Sequence, residues 1–148
     1  MTEYIHFGSN EYDPGLVGST SRFSPSGKPN KGIWASRTDA KFGWVDWCYQ
    51  EEFDLCDLSK SFKFFLTANA RIFTVDSIEK INQVTVLDSE FHCSDKLNRE
   101  WLYANFDGIE FCYSDISCPV WETVFCLWDC DSICIWNPDV IVPLEETA

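Results

Sequence analysis

Apolar residues in this chain come in short runs rich in aromatic and β-branched side chains, and that spacing constrains the fold more than any other feature. Residues 4–8, 32–36, 62–67, 71–75, 108–113, 120–127, 132–136 and 140–142 read as strands. Three stretches read as helices instead. The first covers 39–52, with Phe42, Val45 and Trp47 facing inward. The second opens at Asp76-Ser77-Ile78-Glu79, an Asp with Glu three residues on in the form of a capping box, and ends before the β-branched Val84, Thr85 and Val86. The third covers 95–104, where Leu97, Trp101, Leu102 and Ala104 make an apolar stripe. Strands outnumber helices and do not alternate with them one for one. That predicts an α+β fold of mainly antiparallel strands and excludes a parallel α/β sheet. Between the first two strands, residues 13–32 carry Pro14, Gly15, Gly18, Pro25, Gly27, Pro29 and Gly32 with four serines among them. Such a density of breakers predicts a long irregular loop, which in a small domain is usually functional.

At 148 residues the chain fits one domain spanning 1–148, and with 45% apolar and 16% aromatic residues it has ample material for a core. No apolar run approaches the ~20 residues that cross a bilayer, and the start lacks the basic-then-apolar form of a signal peptide. The expectation is a cytoplasmic monomer. Eight cysteines raise the disulfide and zinc readings. Core material is too plentiful for a disulfide scaffold, and Cys112, Cys126 and Cys134 sit in strand-like runs where Cys acts as a small hydrophobe. The spacings of Cys126, Cys130 and Cys134 fit one half of a zinc site, but no second pair follows, so no metal is expected. A net charge of −13 repels phosphate backbones and excludes broad, non-specific nucleic-acid binding.

Glycine-rich nucleotide signatures are missing, as is a nucleophile elbow, and the only histidines are His6 and His92. Three segments stand out. Tyr4-Ile5-His6-Phe7-Gly8-Ser9 is a strand that carries a histidine and ends in small residues. Gly32-Ile33-Trp34-Ala35-Ser36 is followed by Phe42-Gly43-Trp44-Val45-Asp46-Trp47, whose rings are core or the walls of a slot for a flat ring. Asp129 and Asp131, one residue apart at the head of a strand in Trp128-Asp129-Cys130-Asp131-Ser132-Ile133-Cys134, are expected to point to the same side.

In their order these segments resemble the ADP-ribosyltransferases, in particular the diphtheria-toxin and poly(ADP-ribose)-polymerase branch described by a His-Tyr-Glu triad. The pattern HFGS … KPxGGLWAS … GWxDWC … WDC[ED]SIxxxNPDVI is similar to that of small bacterial and phage proteins and covers nearly the whole chain. The resemblance implies a split β-sandwich that binds NAD and transfers ADP-ribose to a macromolecular acceptor, protein or nucleic acid, releasing nicotinamide. It implies that His6 bonds the adenosine ribose and that the backbone at Gly8, flanked by Phe7 and Ser9, grips the nicotinamide carboxamide. Trp34, on the strand ending at Ser36, stands where the family has its first stacking tyrosine, and Trp44 or Trp47 stands for the second. Asp131 falls at the place of the family's glutamate, one methylene shorter, and Asp129 at the first acidic position of the E-x-E pair of the other branch.

The chemistry gives each part a reason. Cleaving the nicotinamide–ribose bond leaves an oxocarbenium-like sugar. Aromatic faces hold the cationic ring, and a carboxylate near the 2′-hydroxyl stabilises the developing charge. A second carboxylate orients or deprotonates the acceptor. Asp131 takes the first role and Asp129 the second, with Glu110 and Glu122 next in line. The 13–32 loop would cover the dinucleotide, with Arg22, Lys28 and Lys31 facing the pyrophosphate. Two other functions fit the same residues: a non-catalytic acidic protein that docks on a basic partner or mimics nucleic acid, as phage counter-defence proteins do, and a transferase fold that binds nucleotide without turnover.

Overall fold

The structure, a computed structural model, describes residues 1–17, 27–52, 56–87 and 95–144. In chain order its elements are β1 (Tyr4–Phe7), β2 (Ile33–Arg37), α1 (Trp44–Gln50), β3 (Ser61–Leu66), β4 (Ile72–Val75), α2 (Ile78–Val84), β5 (Thr85–Leu87), β6 (Asp95–Leu97), α3 (Arg99–Asn105), β7 (Gly108–Phe111), β8 (Ser132–Ile135) and β9 (Ile141–Pro143). Seven strands form one sheet in the order β4-β7-β8-β2-β1-β3-β9, and β5 pairs with β6 apart from it. Every pair in the large sheet is antiparallel except β4 with β7, whose crossover carries both α2 and α3. The fold is therefore α+β and mostly antiparallel, as the spacing of apolar runs predicts.

The sheet is held by its aromatic and branched residues. Ile33, Ile109, Ile133 and Ile135 are fully buried on β2, β7 and β8. Phe111 stacks on Phe125 at 4.5 Å, and Trp128 packs edge-on against both. An ion pair joins a buried carboxylate to an exposed arginine. Arg37 at the end of β2 donates to both carboxylate oxygens of Glu110 on β7, at 2.8 and 2.6 Å. Glu110 is buried, so removing Arg37 would strand its charge. Glu122 lies in an exposed 3-10 turn.

Several sequence expectations are corrected. Residues 120–127 form no strand: a 3-10 turn at Val120–Glu122 leads into further turns. Val124, Phe125 and Trp128 are buried there while Cys126 and Leu127 are exposed, a spacing of turns that plug the core rather than of an alternating strand. Thr123 fixes this shape by donating to the Val120 carbonyl and accepting from the Phe125 amide. The helix expected over 39–52 begins only at Trp44, and Val45 faces solvent. The helix expected over 95–104 is split. Residues 95–97 pair with β5, and Asn98 caps α3 by accepting from the Trp101 amide. Ser77, not Asp76, caps α2. Cys48, Cys112, Cys118, Cys126, Cys130 and Cys134 are free thiols, and no cluster of three or more metal-binding side chains occurs among the described residues. No helix among them is long and apolar enough to cross a membrane.

Candidate functional site

The site arises where the sheet fails to stay closed. Strand β2 is shared: Ile33 to Ala35 pair with β8, whereas only Ser36 and Arg37 pair with β1. Past Ile5 the two strands separate, although β1 stays paired with β3 as far as Phe7. His6 sits at the fork, its Nδ1 2.7 Å from the Trp34 carbonyl. A carbonyl can only accept, so Nδ1 carries the proton and Nε2 is left as an acceptor. Nε2 has no protein partner among the described residues. Burial lowers the pKa of His6 against the opposing pull of that carbonyl bond, so the ring is neutral at neutral pH.

Between the separated strands lies a cavity of about 450 Å³. His6 and Phe7 line it from β1, Trp34 to Ser36 from β2, Trp44 from α1, and Trp128 to Cys130 with Ser132 from the head of β8. Trp34 is half-buried and meets Trp128 edge-on at 4.8 Å. Residues 28–32 close another side as a strap. Its carbonyls are held from below: Trp128 Nε1 donates to Gly27, Arg99 Nε to Lys28 and Cys134 Sγ to Lys31. A side chain at position 27 would put its Cβ 2.0 Å from the Val124 carbonyl oxygen, which is why glycine stands there. The strap brings two cations to the cleft, Lys28 with its Nζ 5.5 Å from the centre of the Trp34 ring and Lys31 over Tyr103 at 4.5 Å.

The two aspartates part company. They precede β8 in irregular backbone, so strand alternation does not govern them. Asp129 lines the cleft, has no hydrogen-bond or ion-pair partner among the described residues, and is shifted up in pKa by burial, helped by Glu51 and opposed by Lys28. Asp131 lies outside the cleft. Its Oδ2 accepts from the Phe42 amide at 3.1 Å and from the Ser114 hydroxyl, and its Oδ1 from the Ser114 amide at 2.8 Å. Its own amide donates to the Phe42 carbonyl at 2.8 Å. All these bonds tie the head of β8 to the loop before α1 and to the turn after β7. Ser36 completes the knot, donating to the Asp131 carbonyl at 2.8 Å and accepting from the Trp44 amide at 3.0 Å.

Of the residues singled out in the sequence, His6, Phe7, Trp34, Ser36, Trp44 and Asp129 come together in the cleft with Lys28 and Lys31. Gly8, Ser9, Trp47 and Asp131 do not line it. The Gly8 amide is bonded to the Lys60 carbonyl, and Ser9 turns its hydroxyl onto the Glu11 carbonyl. Trp47 stacks on Trp44 and lines a neighbouring cavity. Arg22 lies outside the described residues. Sequence reasoning missed Trp128 as a cleft wall, although the residue directly precedes Asp129 in the segment it singled out. No protein-family model, curated protein or solved structure matches this chain.

Proposed function

We propose that the chain is an NAD-dependent ADP-ribosyltransferase that holds the dinucleotide in the split between β1 and β2 and passes ADP-ribose to a macromolecular acceptor. The observation that carries the reading is the company Asp129 keeps. A carboxylate with no partner among the described residues shares one cleft with the Trp34, Trp44 and Trp128 rings, two lysines and a neutral histidine whose acceptor nitrogen has no partner among those residues either. The cavity volume lies within the ~300–1,000 Å³ usual for ligand sites. The α+β architecture with a sheet that splits at β1 is compatible with an ADP-ribosyltransferase-like split sandwich.

On this reading each group has one task. The indole faces hold the cationic nicotinamide ring, His6 Nε2 accepts from a ribose hydroxyl, and the strap lysines offset the pyrophosphate charge. When the glycosidic bond breaks, its electron pair leaves with nicotinamide, which becomes neutral, and positive charge appears on the sugar. Asp129 is the carboxylate in the cleft that can stabilise it. The reading moves the charge-stabilising role from Asp131 to Asp129 and makes Asp131 a positioning residue.

Calorimetry with NAD on chelator-treated protein, together with nicotinamide release, tests this. Asp129→Asn should bind NAD with little change while release falls by roughly 10²-fold, because the carboxylate acts on charge present only in the transition state. No NAD binding by the chelated parent, or unchanged release by the variant, would overturn the assignment.

A further inference from the structure

A second cavity, of about 480 Å³, adjoins the cleft and shares Trp128 and Asp129 with it. Trp44 and Trp47, three residues apart on α1, lie on one face and stack at 5.0 Å with 21° between their planes. Trp44 lines the cleft and Trp47 the second cavity, so the stacked pair gives one ring to each. Phe42 and Tyr113, 5.9 Å apart, line the second cavity as well, and Trp121, 73% exposed, stands at its rim.

The charges in this aromatic chamber are of one sign. Glu51 and Asp129 line it, and among the described residues no Lys, Arg or His does. Neither carboxylate has a hydrogen-bond or ion-pair partner among the described residues, and each lies close enough to the other for Glu51 to raise the pKa of Asp129 further beyond the effect of burial. Ring faces carry negative quadrupoles that attract cations, and the two carboxylates add full charges and acceptors to the same space. A hard metal ion needs six or more oxygen ligands, which walls of indole and phenyl do not supply. A planar cation that both stacks and donates several hydrogen bonds satisfies every wall, and among protein side chains that is the guanidinium. The whole chain, at −13, repels polyanions and attracts basic proteins.

We propose that this second cavity seats a guanidinium group, the side chain of an arginine on a basic partner protein. The seat needs no NAD in the cleft but shares Asp129 with it, so an arginine held there stands at the cleft's edge.

Tryptophan fluorescence titrations without NAD test it, with Nα-acetyl-arginine methyl ester as the probe. The neutral citrulline analogue, the lysine analogue and a short single-stranded DNA are compared with it. The arginine ester should bind at least tenfold more tightly than the citrulline ester, with an affinity that falls as salt rises. Glu51→Gln and Trp121→Ala, both altered at solvent-accessible positions, should each weaken it by about fivefold, the effect of one exposed cation–aromatic or charge contact. Thermal melts confirm that both variants fold. Equal binding of arginine and citrulline esters, preference for lysine, tighter binding of the DNA, or insensitivity to both substitutions would each overturn the proposal. Because NAD is absent, failure here leaves the cleft reading standing. Loss of NAD binding with the arginine preference intact would remove the cleft reading alone.

Discussion

Replacing Asp131 separates a positioning carboxylate from a reacting one, and the structure sets the size of the effect. The side chain accepts from two backbone amides and one hydroxyl. Asn keeps one acceptor oxygen, and its amide nitrogen must then face either the Phe42 or the Ser114 amide, donor against donor. Ser114 is exposed and Phe42 half-buried, so the oxygen stays with Phe42 and water takes over at Ser114. One charge-assisted bond, worth roughly 1.5–3 kcal/mol, is therefore lost and partly replaced by water. The expected cost of Asp131→Asn is about 1–2 kcal/mol, and that of Asp131→Ala, which removes all three bonds, about 2–4 kcal/mol. At roughly 2–4 °C per kcal/mol for a chain of this size, the Ala variant should melt some 5–15 °C below the parent. Urea unfolding gives the free energies, and NAD titration at a temperature where both are folded should show affinities within about twofold of each other. Asp131→Asn as stable as the parent but with nicotinamide release reduced ~100-fold would refute the reasoning, because a carboxylate that costs nothing structurally and everything kinetically is a reacting group.

His6 gives a pH prediction. Its pKa is lowered in the folded state from the ordinary value near 6.5, so below that value the unfolded chain binds more protons than the native one. The stability from its neutral ring is fully present above pH ~6.5 and is lost as pH falls through the folded pKa. His6→Asn keeps a donor for the Trp34 carbonyl without a titrating ring, and its urea midpoint should fall less between pH 7.5 and 5.5 than that of the parent; equal falls would remove His6 as the cause. Gly27→Ala tests the strap. With its Cβ 2.0 Å from a backbone oxygen the residue cannot be accommodated without movement, so the Trp128 bond to position 27 should break and NAD affinity should drop at least tenfold, while a calorimetric titration matching the parent would show that the strap does not shape the cleft.

The run lengths of apolar residues were enough to fix an α+β chain of short, mainly antiparallel strands, because strand alternation and breaker residues are local properties. The elements at 4–7, 33–37, 61–66 and 72–75 follow the sequence pattern within a residue or so. Residues 120–127 do not, since an apolar run without alternation fits a buried turn as well as a strand, and only packing against Phe111 selects between them. The candidate site divides along the same line. His6, Trp34, Trp44, Ser36 and Asp129 were legible as residues of interest from type and order alone. Which of two aspartates faces the cleft was not, because they lie in irregular backbone where two positions of separation carry no rule about direction. That choice is made by partners far away in sequence, the amides of Phe42 and Ser114, which capture Asp131 and leave Asp129 to the cavity. Likewise Trp44 and Trp47 read as equivalent in the sequence, and one helical turn of α1 assigns them to different cavities. Residue type and order alone show which side chains exist for chemistry and where most strands of the large sheet lie, though not the turns at 120–127 or the strand at 95–97. The tertiary structure decided which of those side chains share a space, because that depends on hydrogen bonds between segments 17 to 89 residues apart, which no local pattern encodes.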